Sequence, residues 1–316
     1  MTSVHALPIP DGQDPLAPAF DSDTAFKAYE AVRGLLPEAR FKGAGAARTD
    51  LGALVDEFDM FVFDAFGVLN VGDTPIPGAV ERVRMLRARG KTCVVVTNAA
   101  SYDPAASLAK FTRLGFDFPS TDIATSRQAA EEAAIARGAN ENWAVLGMDA
   151  GEAGALPFQP LHPGDDAELY DRAEGFLFLS NLRWTAHRQA LLEATLTRRS
   201  RPVIIANPDI IAPREGGLST EPGYFGYRLA KLGLGSVEFH GKPFPSVYDL
   251  VRRTHPAARD GRICMVGDTL HTDVLGGAAA GWGTVLVSDH GLFKGVDVRE
   301  KIAACGIVPD YIVPAI

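Results

Sequence analysis

The sequence predicts an α/β fold: a doubly wound parallel sheet with a second α/β domain inserted into it. Short apolar runs rich in β-branched and aromatic residues recur along the chain, each too short for a helix and therefore read as a buried strand. Amphipathic segments alternate with them, and strands that alternate with helices assemble into parallel sheets. About 140 residues separate Asn98 from Lys242, more than one helix and strand can use, so a further domain must lie between them.

Taken in order, the chain opens on a segment carrying Pro8, Pro10, Pro15 and Pro18 with Gly12 between them, a composition that favours extended or loose chain. Helical pattern follows over 25–36. Residues 1–40 are assigned to an N-terminal extension, and the first twenty are set aside from the chemistry. Gly43-Ala44-Gly45 faintly matches a dinucleotide turn, but it precedes the first strand instead of following it, and is discarded. The first strand is 61–63. The helix after it, 79–89, places Val80, Val83 and Leu86 on one face, with Pro77 near its start and Gly90 at its stop. A second strand follows at 93–96. The runs at 144–146, 176–179 and 203–205, separated by helical pattern, form a sheet of their own, with Pro213 and Gly216-Gly217 as turn or hairpin punctuation. Strands at 263–266 and 285–287 return to the first sheet. The expected division is a core domain of 41–138 and 236–316 and an inserted α/β domain of 139–235.

Composition narrows the function classes. An apolar content of 47% and a charged content of 22% are ordinary for a globular chain able to bury a large core. A net charge of -8 argues against nucleic acid and anionic membranes, both of which are gripped by clustered Lys and Arg. Cys93, Cys264 and Cys305 form no Cys-x-x-Cys pair, and the histidines have no metal-ligand spacing, so neither a disulfide framework nor zinc is expected. No basic start precedes an apolar stretch and no apolar run approaches bilayer length, so a cytoplasmic location is expected.

The strand endings are polar: Asp64, Thr97-Asn98, Asn207-Pro208-Asp209, Gly241-Lys242 and Gly267-Asp268. Ligands of open α/β sheets sit beyond the carboxyl ends of the strands, where loops and helix N-termini converge. Each such residue alone reads equally well as a helix cap; five together point to a site. Asp64 at a strand end is suited to attack an electrophilic centre and form a covalent intermediate that water then cleaves. Thr97 and Asn98 would donate hydrogen bonds to a transferring group, and Lys242 would neutralise charge on it and on Asp64. In GDTLHTD, Asp268 and Asp273 can turn toward one ion, and a cluster of three carboxylates without a cation would repel itself; magnesium suits it, since it takes few carboxylates plus waters and substrate oxygens. His271 in the same loop either touches substrate or, in the reading preferred from sequence, faces water. Arg183 after a strand of the insertion either binds an anionic part of the substrate or is solvated over a packed Trp184.

The ordered set FDAFGVL (63–69), VVVTNAAS (94–101), HGKPFPSVY (240–248) and MVGDTLHTDVLGGAAAGWGT (265–284) resembles the four motifs of the haloacid dehalogenase superfamily. The resemblance implies a Rossmann-like core, Mg2+ held directly by Asp64 and Asp268 and by the main-chain carbonyl of Phe66, and Asp273 acting directly or through water. The position of the insertion, with Asn207-Pro208-Asp209, is similar to the class that contains sugar, nucleotide and pyridoxal phosphate phosphatases. That likeness implies a small phosphorylated substrate, a cap that supplies specificity, Asn207 in the binding region, and a homodimer through the cap.

One residue departs from the pattern. Phosphomonoesterases of that superfamily carry Asp-x-Asp, the second Asp protonating the leaving alcohol; Phe66 stands there and can neither give nor take a proton. Loss of such a group typically costs on the order of 10² to 10⁴ in rate. Three readings stay open: a phosphatase whose acid comes from substrate, cap or water; a carbon-halogen or carbon-phosphorus hydrolase; and a catalytically weak metabolite-binding or regulatory protein.

Overall fold

The computed structural model describes residues 20–214, 217–256 and 262–316. The extended reading of the first residues, and Gly216, lie outside these. Fifteen strands follow in chain order. They are β1 (Ala46–Ala47), β2 (Met60–Phe63), β3 (Asn70–Val71), β4 (Thr74–Pro75), β5 (Thr92–Thr97), β6 (Ile123–Thr125), β7 (Trp143–Leu146) and β8 (Gly175–Phe178). The remainder are β9 (Pro202–Ile205), β10 (Ile211–Arg214), β11 (Gly217–Thr220), β12 (Ser236–Phe239), β13 (Ile263–Gly267), β14 (Gly283–Val287) and β15 (Tyr311–Val313).

The first sheet has the order β1-β15-β14-β13-β2-β5-β6 and is parallel throughout. Its central strands are continuous apolar runs because helices cover both faces: all four residues of β2 and all five of β13 are buried. Each fully buried Val or Phe contributes roughly 1.5–3 kcal/mol. Parallel pairing sets Val266 opposite Phe63. The residues just beyond, Asp64 and Gly267-Asp268, therefore emerge side by side. From β2 the chain winds outward through β5 and β6 on one side, and later through β13, β14 and β15 on the other, so β2 and β13 flank the topological switch point where such sheets bind ligands.

The second sheet, β12-β9-β8-β7, is also parallel. It corrects the expected boundary at 236. Ser236–Phe239 pairs in register with Pro202–Ile205, so this segment completes the second sheet, and the chain re-enters the first layer only through the loop at Lys242 and the helix Pro245–Thr254. The punctuation at Pro213 and Gly217 belongs to the antiparallel pair β10-β11.

The strands missed from sequence, among them β6, β15 and the two-residue β1, are short pieces at or near the sheet edge. The helix expected over 25–36 is α1 (Ser22–Ala31) followed by one tight turn at Arg33–Leu35. Asp21 starts α1 by accepting from the Thr24 N–H in a reciprocal capping box. The buried face of α1, including Ala25, Phe26, Ala28 and Tyr29, packs into one core with β8, β9 and the loop after β13. Of the segment assigned to an extension, residues 20–39 contribute to the packed body. Among the described residues no helix is long and apolar enough to cross a membrane.

Candidate functional site

Asp64, Asp268 and Asp273 offer carboxylate oxygens that all lie within 4.8 Å of one another. Strand geometry delivers the first two. Asp273 comes from a π-type turn, Leu270–Val274, in which the Val274 N–H reaches back to the Thr269 carbonyl at 3.2 Å. Lys242 supplies the counter-charge: its Nζ lies 2.5 Å from Asp64 Oδ1 and 2.7 Å from Asp273 Oδ1, and its side chain is 2% exposed. Burial alone would pull this ammonium down, but Asp273, Asp64 and Asp209 outweigh it and hold the pKa above the ordinary lysine value. Burial pushes Asp64 up to about 6 against the pull of Lys242, with Asp273 adding to the rise, and the same two causes, burial and Asp273, raise Asp268 well above the carboxylate range. Three carboxyl groups are more than one ammonium can neutralise, which adds to burial in raising the pKa values of Asp64 and Asp268, and the donor set, all oxygen and compact, fits a hard divalent cation.

The cradle of Asp268 is tight. Its Oδ2 accepts from the Leu292 N–H at 2.8 Å and its Oδ1 from the Thr269 hydroxyl at 3.0 Å. Gly67 (φ +78) and Gly291 (φ +73) press on the same carboxylate: a Cβ on Gly291 would stand 1.7 Å from Oδ2. Both the left-handed backbone and the missing side chain are required there.

Asn98 has a different role from the one expected. Its Nδ2 donates to Asp209 Oδ1 and to the Lys242 carbonyl, both at 2.9 Å, and its Oδ1 accepts from the Lys242 N–H at 2.8 Å. With its amide fully used, Asn98 is a clamp that ties the end of β5 to the lysine loop and to the segment after β9. Asn207 lines the cavity, but its Nδ2 donates to Glu221 and its Oδ1 accepts from the Asp209 N–H. Thr97 also lines the cavity, its hydroxyl accepting from the Ala99 N–H at 3.2 Å.

These groups face a cavity of about 680 Å³ between the two sheets, whose lining also includes Tyr29, Tyr102, Met148, Asn181 and Leu182. Arg183 is not among its lining residues. Its guanidinium is held by Glu152 (2.6 Å), half exposed, so the solvated alternative is nearer the structure than substrate contact. Trp184 packs on Phe178 as expected. The preference for a water-facing His271 is corrected: the ring is buried, stacked on Tyr29 at 5.2 Å, with Nε2 2.5 Å from Glu30 Oε1. Phe66 lines the cavity beside Asp64, with the Lys110 ammonium 4.3 Å from its ring centroid.

Of the lining residues to which the sequence gave no role, Asp209 and Tyr29 lie nearest the chemistry. Asp209 was visible only as the third member of Asn207-Pro208-Asp209. Burial, opposed by Lys242 and Asn98, holds its carboxyl up at about 8. Tyr29 gave no local signal, since it reaches the cavity only through long-range packing.

Comparisons with known proteins place the fold in a family. Residues 61–155 match the family described as haloacid dehalogenase-like hydrolase, and residues 239–316 match the HAD-hydrolase-like family. A glycerol-3-phosphate phosphatase of Homo sapiens is 30% identical over 84% of this chain and 90% of its own length. A solved structure from Cytophaga hutchinsonii, described as a possible sugar phosphatase, superposes with a TM-score of 0.74 at 25% identity, covering 86% of this chain and 98% of that one. A glycerol phosphate phosphatase from Mycobacterium tuberculosis, solved in complex with magnesium, shares the fold at 24% identity and a TM-score of 0.62, covering 82% and 76%.

Two predictions follow from the packing. Gly90→Ala, at φ +73 with nothing near its Cβ, should cost about 1–2 kcal/mol for the left-handed backbone alone. Gly291→Ala at the same φ should cost roughly 1–3 kcal/mol more, because Asp268 must move; denaturant unfolding of both variants measures the difference. The second concerns Asp209. Between its ordinary value of 3.8 and about 8 the folded chain keeps a proton that the unfolded chain releases, so its contribution to stability falls as pH rises through that window. Asp209→Asn keeps an acceptor for Asn98 and removes the effect. Its melting temperature in metal-free buffer should rise relative to the native chain from pH 4 to pH 8, and a difference independent of pH would contradict the assignment.

Proposed function

The chain belongs to the haloacid dehalogenase-like hydrolases, and from that membership we propose that it is a magnesium-dependent phosphatase of small phosphorylated metabolites with Asp64 as nucleophile. One observation carries the reading: three carboxylates gathered around a single buried ammonium at the switch point of the sheet. Asp64, Asp268 and Asp273, with the main-chain carbonyl of Phe66, are the residues that would hold the ion. When bound, magnesium supplies the charge that lets an anionic phosphoryl group approach an anionic nucleophile.

The chain's own groups perform the rest. An Asp64 oxygen attacks phosphorus and the bond to the leaving oxygen breaks, giving an aspartyl phosphate and an alkoxide or phenolate that takes its proton from solvent; water then attacks phosphorus, its proton passing to solvent or to the departing phosphate, which leaves as the carboxylate is restored. Lys242, fixed by Asn98 and paired with Asp64 and Asp273, stabilises the charge that builds on the phosphoryl oxygens. Thr97 is placed to donate to one of those oxygens. The four-stranded inserted layer acts as the cap, and its residues Ser180, Asn181 and Leu182 face the substrate across the cavity. The intact carboxylate cluster favours phosphoryl transfer over carbon-halogen cleavage, for which a halide needs neither proton nor metal.

Phe66 shapes the kinetics. With no carboxyl to protonate the leaving alcohol, turnover should depend steeply on leaving-group acidity, so p-nitrophenyl phosphate should be hydrolysed far faster than glycerol phosphate. A phosphate-release assay should show this activity abolished by chelation and by Asp64→Asn. Phosphate release that survives both would overturn the reading. In Phe66→Asp the new carboxylate falls near the Lys110 ammonium, which would hold it ionised and a poor acid. The double variant Phe66→Asp/Lys110→Met should therefore gain more on glycerol phosphate than Phe66→Asp alone, by roughly 10-fold or more, within the range of general-acid catalysis; equal rates would show that proton delivery is not what position 66 lacks.

A further inference from the structure

We propose that helix α1 is a working part of this active site: through Tyr29 and Glu30 it positions the acidic loop after β13 against the Asn207-Pro208-Asp209 segment, so that Tyr29 and Glu30 are positioning residues for catalysis. The proposal rests on the phosphatase reading above for its kinetic arm only.

Five contacts made by α1 support it. The His271 ring, between the two metal-loop aspartates in sequence, is stacked on Tyr29 at 5.2 Å and meets the edge of Phe26 at 5.4 Å. Its Nε2 is fixed by Glu30 Oε1 at 2.5 Å. On the other side of Asp268, the Leu292 N–H donates to that carboxylate while the Leu292 carbonyl accepts from the Ser22 hydroxyl at 2.8 Å, so the start of α1 holds the residue that holds Asp268. Lastly, the Tyr29 hydroxyl accepts from the Ile210 N–H at 3.1 Å, directly after Asp209, and the same side chain lines the cavity. One buried tyrosine thus touches the metal-loop side and the inserted side of the site together.

The chemistry of these contacts assigns separable effects. Removing the Tyr29 hydroxyl leaves the Ile210 N–H unsatisfied and loosens the Asp209 segment, which faces substrate; removing the Glu30 carboxylate frees His271 and loosens the carboxylates that face the cation. Groups bonded directly to a metal ligand typically control affinity by 10-fold or more; Glu30 acts one step further back, through His271, so its effect should be smaller, and an unsatisfied buried N–H costs enough to change an equilibrium several-fold.

The experiment uses the full chain, with Tyr29→Phe and Glu30→Ala. For Tyr29→Phe, KM for p-nitrophenyl phosphate should rise by about five- to tenfold with half-saturating Mg2+ unchanged. Glu30→Ala should raise half-saturating Mg2+ by roughly three- to fivefold, below the tenfold typical of a group bonded directly to a ligand, while KM at saturating Mg2+ stays native. A thermal-shift titration with Mg2+ alone gives the second effect without turnover. Native values for KM and for Mg2+ midpoint in both variants, whatever their melting temperatures, would overturn the proposal. If the native chain shows no Mg2+-dependent hydrolysis, the phosphatase reading fails, and the thermal-shift midpoint of Glu30→Ala alone decides the role of α1.

Discussion

Lys242 lies at the centre of the structure's electrostatics. An ammonium with 2% of its side chain exposed, bonded to two carboxylates, is expensive to desolvate and is tolerated only where its partners are held in place. Here they are held from several directions. Asp64 is fixed by the pairing of β2 and β13, Asp273 by a π-type turn, and the lysine's own backbone by the Asn98 amide. The imbalance that remains, three carboxyl groups against one ammonium, is one that a divalent cation would relieve, and the proposed phosphoryl group would bind with that cation. Both the core sheet and the inserted sheet converge on this cluster, since Lys242 leaves β12 and Asp209 follows β9.

What was legible in the sequence was what local pattern dictates. The strands β2, β5, β7, β8, β9, β13 and β14 are continuous apolar runs, and their polar endings fall together because all parallel strands point the same way. Asp64, Lys242, Asp268 and Asp273 meet in the structure as their spacing within the four ordered motifs implied. The features that did not show depend on tertiary contact. Nothing local distinguishes β12 as a member of the second sheet, because its exposure is intermediate and its partner lies in a distant segment. Arg183 after a strand has the right charge for an anion, yet Glu152 claims it. His271, polar and next to an aspartate loop, was expected to face water, and is instead covered by a helix from a part of the chain that local pattern could not place.

Phe66 bears on the proposed chemistry of the site while leaving the geometry of its acidic cluster in place. The ring lines the cavity beside the nucleophile and lies under the Lys110 ammonium, and the loop around it retains the tight Gly67 turn that lets Asp268 approach. Covalent attack needs none of what Phe66 lacks; protonation of an alkoxide does. On the proposed mechanism the site would form an acyl phosphate and be selective about which alcohols it can release.

That claim is most directly tested by trapping the intermediate. Rapid acid quench during turnover of p-nitrophenyl phosphate, followed by borohydride reduction and peptide mass spectrometry, should show the Asp64 side chain converted to the alcohol of homoserine, in a magnesium-dependent manner. Conversion at another carboxylate, or full turnover by Asp64→Asn, would contradict the account.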